Sequence, residues 1–217
     1  MSLKVLVACE YSGAVRDAFI AAGHDAMSCD LLPTDVPGPH YQGDVRDVLY
    51  DGWDLMIAHP PCTYLCSSGL HWNKRRPERQ SQTEEALSFV RLLLDAPIQR
   101  IALENPIGCI STRIRKYDQM IHPWQFGHDA SKATCLWLKG LPPLKETNVL
   151  GGGRKARRAN QTASGQNRLP PSPDRWKIRS ATYPGIAAAM ADQWGNYVQS
   201  DLFSPPLLQR TRATPAA

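Results

Sequence analysis

Four short apolar runs, each stopping on a chemically competent residue, constrain this chain more than any other feature. Residues 3–9, 25–30, 54–58 and 98–103 read as buried strands. Helical patterns alternate with them over 12–23 and 78–95. Apolar side chains recur there at Val15, Ala18, Phe19 and Ala22, and at Ala86, Phe89, Val90, Leu93 and Leu94. This alternation predicts an α/β fold with a doubly wound, mostly parallel sheet. With 217 residues, 42% hydrophobic and 21% charged, the chain suits a single domain around one good-sized core. Ser12 and Gly23 are expected to cap the first helix. A weaker strand is expected at 119–122, a clear one at 134–138, and a last helix at 186–194.

In such a sheet the ligand crevice lies outside the carboxyl ends of the strands, so strand-end residues are the candidates. The 54–58 run delivers His59-Pro60-Pro61-Cys62, and the 98–103 run delivers Glu104-Asn105-Pro106. Two prolines force an extended chain ahead of Cys62. A strand-end thiol near backbone N–H groups can have a lowered pKa and act as a nucleophile. A partly desolvated Glu104 is expected to stay protonated near neutrality and to donate to a ring nitrogen. Together they suit attack on an electron-poor ring. The plainer reading is a packed cysteine and a capping or salt-bridged glutamate. A rival is zinc on His59-x2-Cys62-x3-Cys66-x4-His71, but that spacing matches no common finger and no metal is expected.

The first strand-to-helix turn, Glu10-Tyr11-Ser12-Gly13, presents N–H groups and a helix start to a nucleotide-like ligand. Asp30 ends the second run, where an acid accepts ribose hydroxyls. Asp44 follows Gly43, in position to read an adenine amino group. Taken alone, each acid reads better as a solvated side chain; only their recurrence at successive strand ends brings a shared ligand level with that reading.

Charge is uneven. Residues 145–180 carry nine Lys/Arg against two acids, so this stretch holds all the excess positive charge of a chain whose net charge is +5. Such a tract is expected to meet a polyanion, as a flexible loop using Arg154, Lys155, Arg157 and Arg158. Trp72 beside Lys74-Arg75-Arg76 either adds a stacking contact or packs under its own loop. The six cysteines are scattered without a CxxC pair, as for free thiols in a reducing cytosol, where most fill the core. No apolar run approaches the ~20 residues of a membrane helix. Residues 1–7 enter a strand without a signal-peptide pattern, so a cytoplasmic protein without a membrane partner is expected.

Taken in order, these motifs resemble the DNA cytosine carbon-5 methyltransferases, and more closely their short stand-alone bacteriophage versions. Residues 3–23 resemble the first family motif, Asp30-Leu31 the second and residues 43–45 the third. Pro61-Cys62-Thr63 resembles the Pro-Cys-Gln nucleophile motif, and Glu104-Asn105-Pro106 the Glu-Asn-Val motif. Phe126-Gly127-His128, the stretch 132–137 and Thr182-Tyr183-Pro184-Gly185 resemble features of the phage-type group. The resemblance spans residues 3 to 198.

It implies a fold of the S-adenosylmethionine-dependent methyltransferase type. The cofactor S-adenosyl-L-methionine is then held by Glu10, Tyr11, Ser12 and Gly13, with Asp30 at the ribose, Asp44 at the adenine, and Leu31, Val45 and Pro60 beside them. Cys62 attacks carbon 6 of a cytosine flipped out of DNA, and Glu104 steadies ring nitrogen 3. Lys132 stands in for an arginine of the missing QxRxR motif as a nucleic-acid contact. The family's glycine-rich turn is replaced by Cys9-Glu10-Tyr11-Ser12-Gly13-Ala14, and its glutamine by Thr63. The implied division is a methyltransferase-like core over 1–144, a basic loop over 145–180, a C-terminal helix over 181–199 and a disordered tail over 200–217. DNA is the implied partner, with room for a separate specificity partner, and host cytoplasm the implied location of a phage-encoded chain. A non-catalytic nucleic-acid binder and an enzyme using a modified cofactor or a free nucleotide remain as alternatives.

Overall fold

The computed structural model describes residues 2–164 and 167–203. Seven strands form one sheet: β1 (Lys4–Ala8), β2 (Asp25–Asp30), β3 (His40–Gln42), β4 (Leu55–Ala58), β5 (Ile101–Pro106), β6 (Gln119–Ile121) and β7 (Thr134–Lys139). The helices are α1 (Ala14–Ala21), α2 (Ser67–Leu70), α3 (Pro77–Leu94), α4 (Ile110–Arg113), α5 (Arg175–Ser180) and α6 (Pro184–Phe203). Strand order is β3-β2-β1-β4-β5-β7-β6. Strands β1 to β5 pair in parallel, and β7 runs antiparallel to both β5 and β6. The expected doubly wound, mostly parallel α/β sheet is what forms.

The period of two along each strand divides the core between two faces. Val5, Val7, Leu55 and Ile57 point to one side and pack with Phe19 of α1 and Met190, Trp194 and Val198 of α6. Leu6, Ala8, Met56 and Ala58 point to the other and pack with Leu87, Val90 and Leu93 of α3. Apolar residues on both faces are what a covered parallel sheet requires. Each fully buried aliphatic or phenyl side chain contributes about 1.5–3 kcal/mol. The two buried indoles each satisfy their N–H: Trp194 donates to Pro142 O at 2.9 Å and Trp137 to Arg115 O at 2.8 Å.

Several boundaries differ from expectation. Strand β5 starts three residues later than the apolar run, at Ile101, and includes Glu104, Asn105 and Pro106. Its parallel ladder with β4 ends at Leu103, while β7 continues alongside it through Pro106. The antiparallel neighbour therefore extends β5 past the edge of β4. The buried residues of α3 are Thr83, Leu87, Val90 and Leu93, a stripe rotated from the expected one. The loop at 63–77 contains α2 and a 3-10 turn at His71–Lys74.

The last helix runs to Phe203, well past residue 194. Buried Ile186, Met190, Trp194 and Val198 continue one face, and Gly195 lets the helix approach the ring of His24. A Cβ at Gly195 would stand 2.3 Å from His24 Nε2. Of the expected tail, residues 200–203 belong to this helix, and 204–217 lie outside the described residues.

The cap of α1 is also different. Gly13, at φ 75°, occupies the N-cap position without a side-chain bond, and Ser12 Oγ accepts only from Ala14 N at 3.3 Å. The Glu10 carboxylate does the capping, accepting from Val15 N at 2.7 Å and Arg16 N at 3.2 Å. Fully buried Arg16 then donates to Ser28, Thr34, Val36 O and Pro37 O, pinning the β2–β3 loop under the helix.

Candidate active site

Strand order reverses between β1 and β4, so the crevice of a doubly wound sheet lies beyond their carboxyl ends. Two cavities occupy it. The first, about 120 Å³, is lined by Glu10, Tyr11 and Ser12 after β1, His59 to Cys62 after β4, Glu104 on β5, Lys132, and residues 179–182. The second, about 250 Å³, is lined by Asp30, Leu31, Asp44, Val45 and Phe89. Cys9 and Pro61 line both, so the two adjoin. Cys62 and Glu104 thus face one space, and the two expected nucleotide-reading acids face the next.

Cys62 does not stand alone. Its carbonyl accepts the N–H groups of Leu65 and Cys66, each at 3.0 Å, and this turn brings the thiol of Cys66 beside its own. Cys66 is the N-cap of α2, with Sγ 3.1 Å from Ser68 Oγ. The hydrogen bond between the thiols, with burial and Glu104 adding to it, pushes Cys62 upward. The same bond, helped by Ser68 and the backbone around it, pulls Cys66 well below an ordinary thiol. The lowered thiol expected at Cys62 is found instead at its neighbour Cys66. Local sequence offered one signal for this, the i, i+4 spacing of the two cysteines.

Glu104 departs from expectation in the same way. Burial raises its pKa, but the hydrogen bond and charge of His59, then Lys132 and Thr134, outweigh it and hold the carboxyl below its usual range. It is ionised at neutral pH, not protonated. An ionised carboxylate only accepts, so His59 Nδ1 is the donor in the 3.1 Å contact to Oε2. Asn105 Nδ2 donates to the carbonyl of buried Pro60 at 2.7 Å, which ties the Pro-Pro turn to β5.

The turn at 10–13 serves chiefly as wall and support. Both oxygens of buried Glu10 are engaged by α1, and Oε1 also accepts from Ser12 Oγ at 3.1 Å. A Cβ at Gly13 would meet Arg16 and Val36 at 2.6 Å. The Tyr11 hydroxyl bonds Ser180 Oγ at 2.7 Å, and its ring lies 5.8 Å from that of Trp176. This contact draws α5 over the first cavity.

In the second cavity, Asp30 accepts from Leu32 N at 2.9 Å, and burial lifts its pKa. Asp44 accepts from Arg46 N at 2.9 Å and Arg46 Nη1 at 2.6 Å, which holds it below its usual value. Val45 is buried, Leu31 is exposed, and the Phe89 ring lies under the Arg46 guanidinium.

Cys9, core filler by its sequence context, holds φ 59°, the one positive φ outside glycine among the described residues. Such a conformation costs of order 1–3 kcal/mol and persists where the surroundings impose it. Burial, with Asp30 and Cys29 adding to it, pushes its thiol far upward. The replaced glycine-rich turn was the available signal.

The basic tract divides. Arg154, Lys155 and Arg157 are exposed. Arg158 is buried, donates to Gly153 O at 2.9 Å, stands 3.7 Å from Asp129 and stacks over Trp124. Asn160 is bonded both ways to the backbone of Ser131, so the tract lies against the loop that carries Lys132. Lys132 Nζ donates to Ala181 O at 3.3 Å. Trp72 is partly exposed and has Arg75 and Arg76 over its ring at 5.6 and 5.5 Å. Among the described residues no group of three His, Cys, Asp or Glu is placed to hold a metal, and no helix is long and apolar enough to cross a membrane.

No protein-family model matches this chain, and no curated protein matches its sequence. Similar solved structures include a candidate DNA modification methyltransferase encoded within an E. coli prophage, at 18% identity over 63% of this chain and 46% of that one, TM-score 0.44. The S. pombe Dnmt2 methyltransferase is similar at 17% identity over 65% and 50%, TM-score 0.41. A Spodoptera frugiperda DNMT2 mutant follows at 16% over 69% and 54%, TM-score 0.39. The chain spans about half the length of these structures.

Proposed function

We propose that this protein transfers a methyl group from S-adenosylmethionine to carbon 5 of cytosine in DNA, through a covalent adduct at Cys62. The observation that carries this reading is the single cavity shared by Cys62 and Glu104, adjoining one that holds Asp30 and Asp44. Together the cavities reach the lower end of the ~300–1,000 Å³ usual for cofactor sites. Two carboxylates beside Leu31, Val45, Phe89 and Pro61 fit a nucleoside, with polar groups for its hydroxyls and amino group and apolar faces for its base. When bound, S-adenosylmethionine supplies a methyl group on a positively charged sulfur.

The chain's own residues supply the rest. Cys62 gives its S–H proton to the Cys66 thiolate as its sulfur bonds to carbon 6, and ring nitrogen 3 takes up a proton. The electron pair pushed to carbon 5 makes that atom nucleophilic, and S-adenosylmethionine held beside it would supply the methyl group. Loss of the carbon 5 proton to a base, together with the proton on ring nitrogen 3, then restores the ring double bonds, breaks the sulfur–carbon bond and returns Cys62 as the thiolate. Lys132 adds positive charge beside Glu104, where the ring polarises. Because the target atoms lie inside the base stack, the cytosine must be flipped out. Arg154, Lys155 and Arg157 are exposed to hold DNA phosphates, and Arg158 supports them from inside.

Cys9 favours a second reading, the same chemistry with a modified cofactor, because its side chain stands where the cavities adjoin. Mass spectrometry of nucleosides from cells expressing the wild type or Cys62→Ala tests both readings. The proposal expects 5-methylcytosine in the first only, and a different cytosine adduct would favour the second reading.

A further inference from the structure

His59 has no role in the chemistry above, yet it is held on both sides in the site. Its backbone N–H donates to Ala8 O at 2.9 Å, and Pro60 follows it, held by Asn105. The imidazole and the Glu104 carboxylate are 11% and 15% exposed, and Nδ1 meets Oε2 at 3.1 Å. Nε2 is buried without a hydrogen-bond partner. An unpartnered buried nitrogen is costly and calls for an explanation in use. The other groups facing Glu104 are Lys132, Thr134 and Cys135 from β7 and the loop before it, and Cys62 from the β4 loop. Imidazole is the side-chain type among these that exchanges protons between pH 5 and 8.

We propose that His59 is the positioning residue of Glu104: it orients the carboxylate and passes to it the proton that ring nitrogen 3 receives when the Cys62–carbon 6 bond forms. This rests on the functional reading above. The carboxylate is ionised in the free site, so a proton bound for the ring must reach it from a neighbour. On attack one proton moves from the imidazolium form of His59 to the carboxylate and on to ring nitrogen 3, leaving a neutral imidazole. When the sulfur–carbon bond breaks it returns by the same route, and the pair ends as it began.

The test follows the Glu104 carboxyl by carbon-13 NMR in the full chain while kcat is measured against pH. His59→Leu removes the largest influence opposing burial and leaves Lys132 and Thr134, so the Glu104 midpoint rises and kcat falls about 100-fold, with KM for DNA within twofold of wild type. In His59→Asn the amide restores a donor near Nδ1 but cannot relay. The midpoint returns toward wild type, while kcat stays low. An unmoved Glu104 midpoint in His59→Leu, or wild-type kcat in His59→Asn, would overturn the proposal. The carboxyl titration reads the pairing whether or not methyl is transferred, so its failure is distinct from failure of the functional reading.

Discussion

Gly185 donates its backbone N–H to His128 Nε2 at 2.9 Å, joining two sequence motifs 57 residues apart. The His128 ring lies 5.3 Å from that of Tyr183, and a Cβ on Gly185 would stand 2.0 Å from Phe126 O. The start of α6 is thereby seated on the loop before β7, which also fixes residues 179–182 above the first cavity.

Gly185→Ala is expected to force that seam apart. Overpacking against backbone costs roughly 1–3 kcal/mol, or a loss of about 2–12 °C in Tm at this chain length. Gly151→Ala, whose Cβ would meet nothing within 4 Å, is the control and should leave Tm unchanged. Thermal unfolding followed by circular dichroism checks both, and equal Tm values for the two variants would refute the seam.

The thiol pair predicts an inverted order of reactivity. Brief alkylation at pH 7 should label Cys66 before Cys62, because the pairing lowers the Cys66 thiol and raises that of Cys62. Peptide mass spectrometry reads the order directly. Cys66→Ala removes the proton acceptor and should slow attack by Cys62 about tenfold or more. Preferential labelling of Cys62 in the wild type would contradict the pairing.

The divided basic tract predicts divided effects. Replacing Arg154, Lys155 and Arg157 by alanine should reduce the slope of log K against log salt by about 0.9 for each phosphate no longer neutralised, with Tm unchanged. Arg158→Ala should instead cost about 1–3 kcal/mol of stability, because its buried bonds are broken. Salt-dependent DNA binding and thermal melting separate the two, and an unchanged salt slope in the triple variant would demote the tract to a structural connection.

What was legible in sequence was whatever depended on local pattern. The apolar content of 25–30 marked β2 to the residue, and the delivery of Cys62 and Glu104 to one sheet edge followed from strands that run parallel. The end of β5 was not legible, because its ladder beyond Leu103 is set by an antiparallel partner some thirty residues away in sequence. Nor was the charge state of Glu104. Its burial could be read from Ile-Ala-Leu before it, but the groups that overrule burial come from His59 and Lys132 on other segments. Glu10 as the cap of α1 was hidden by Ser12, a better capping residue by type, because the left-handed turn at Gly13 carries the chain past it. The return of residues 179–182 over the cavity depends on Tyr11 bonding Ser180, a contact 169 residues long.

DNA carrying 5-fluorocytosine tests the central claim most directly, since fluorine at carbon 5 cannot leave as a proton does and the adduct cannot resolve. Incubated with this DNA and S-adenosylmethionine, the wild-type protein should become covalently attached, with the crosslinked peptide mapping to Cys62, and Cys62→Ala should give no adduct. Absence of any adduct with the wild type, or attachment through Cys66 instead, would contradict the account.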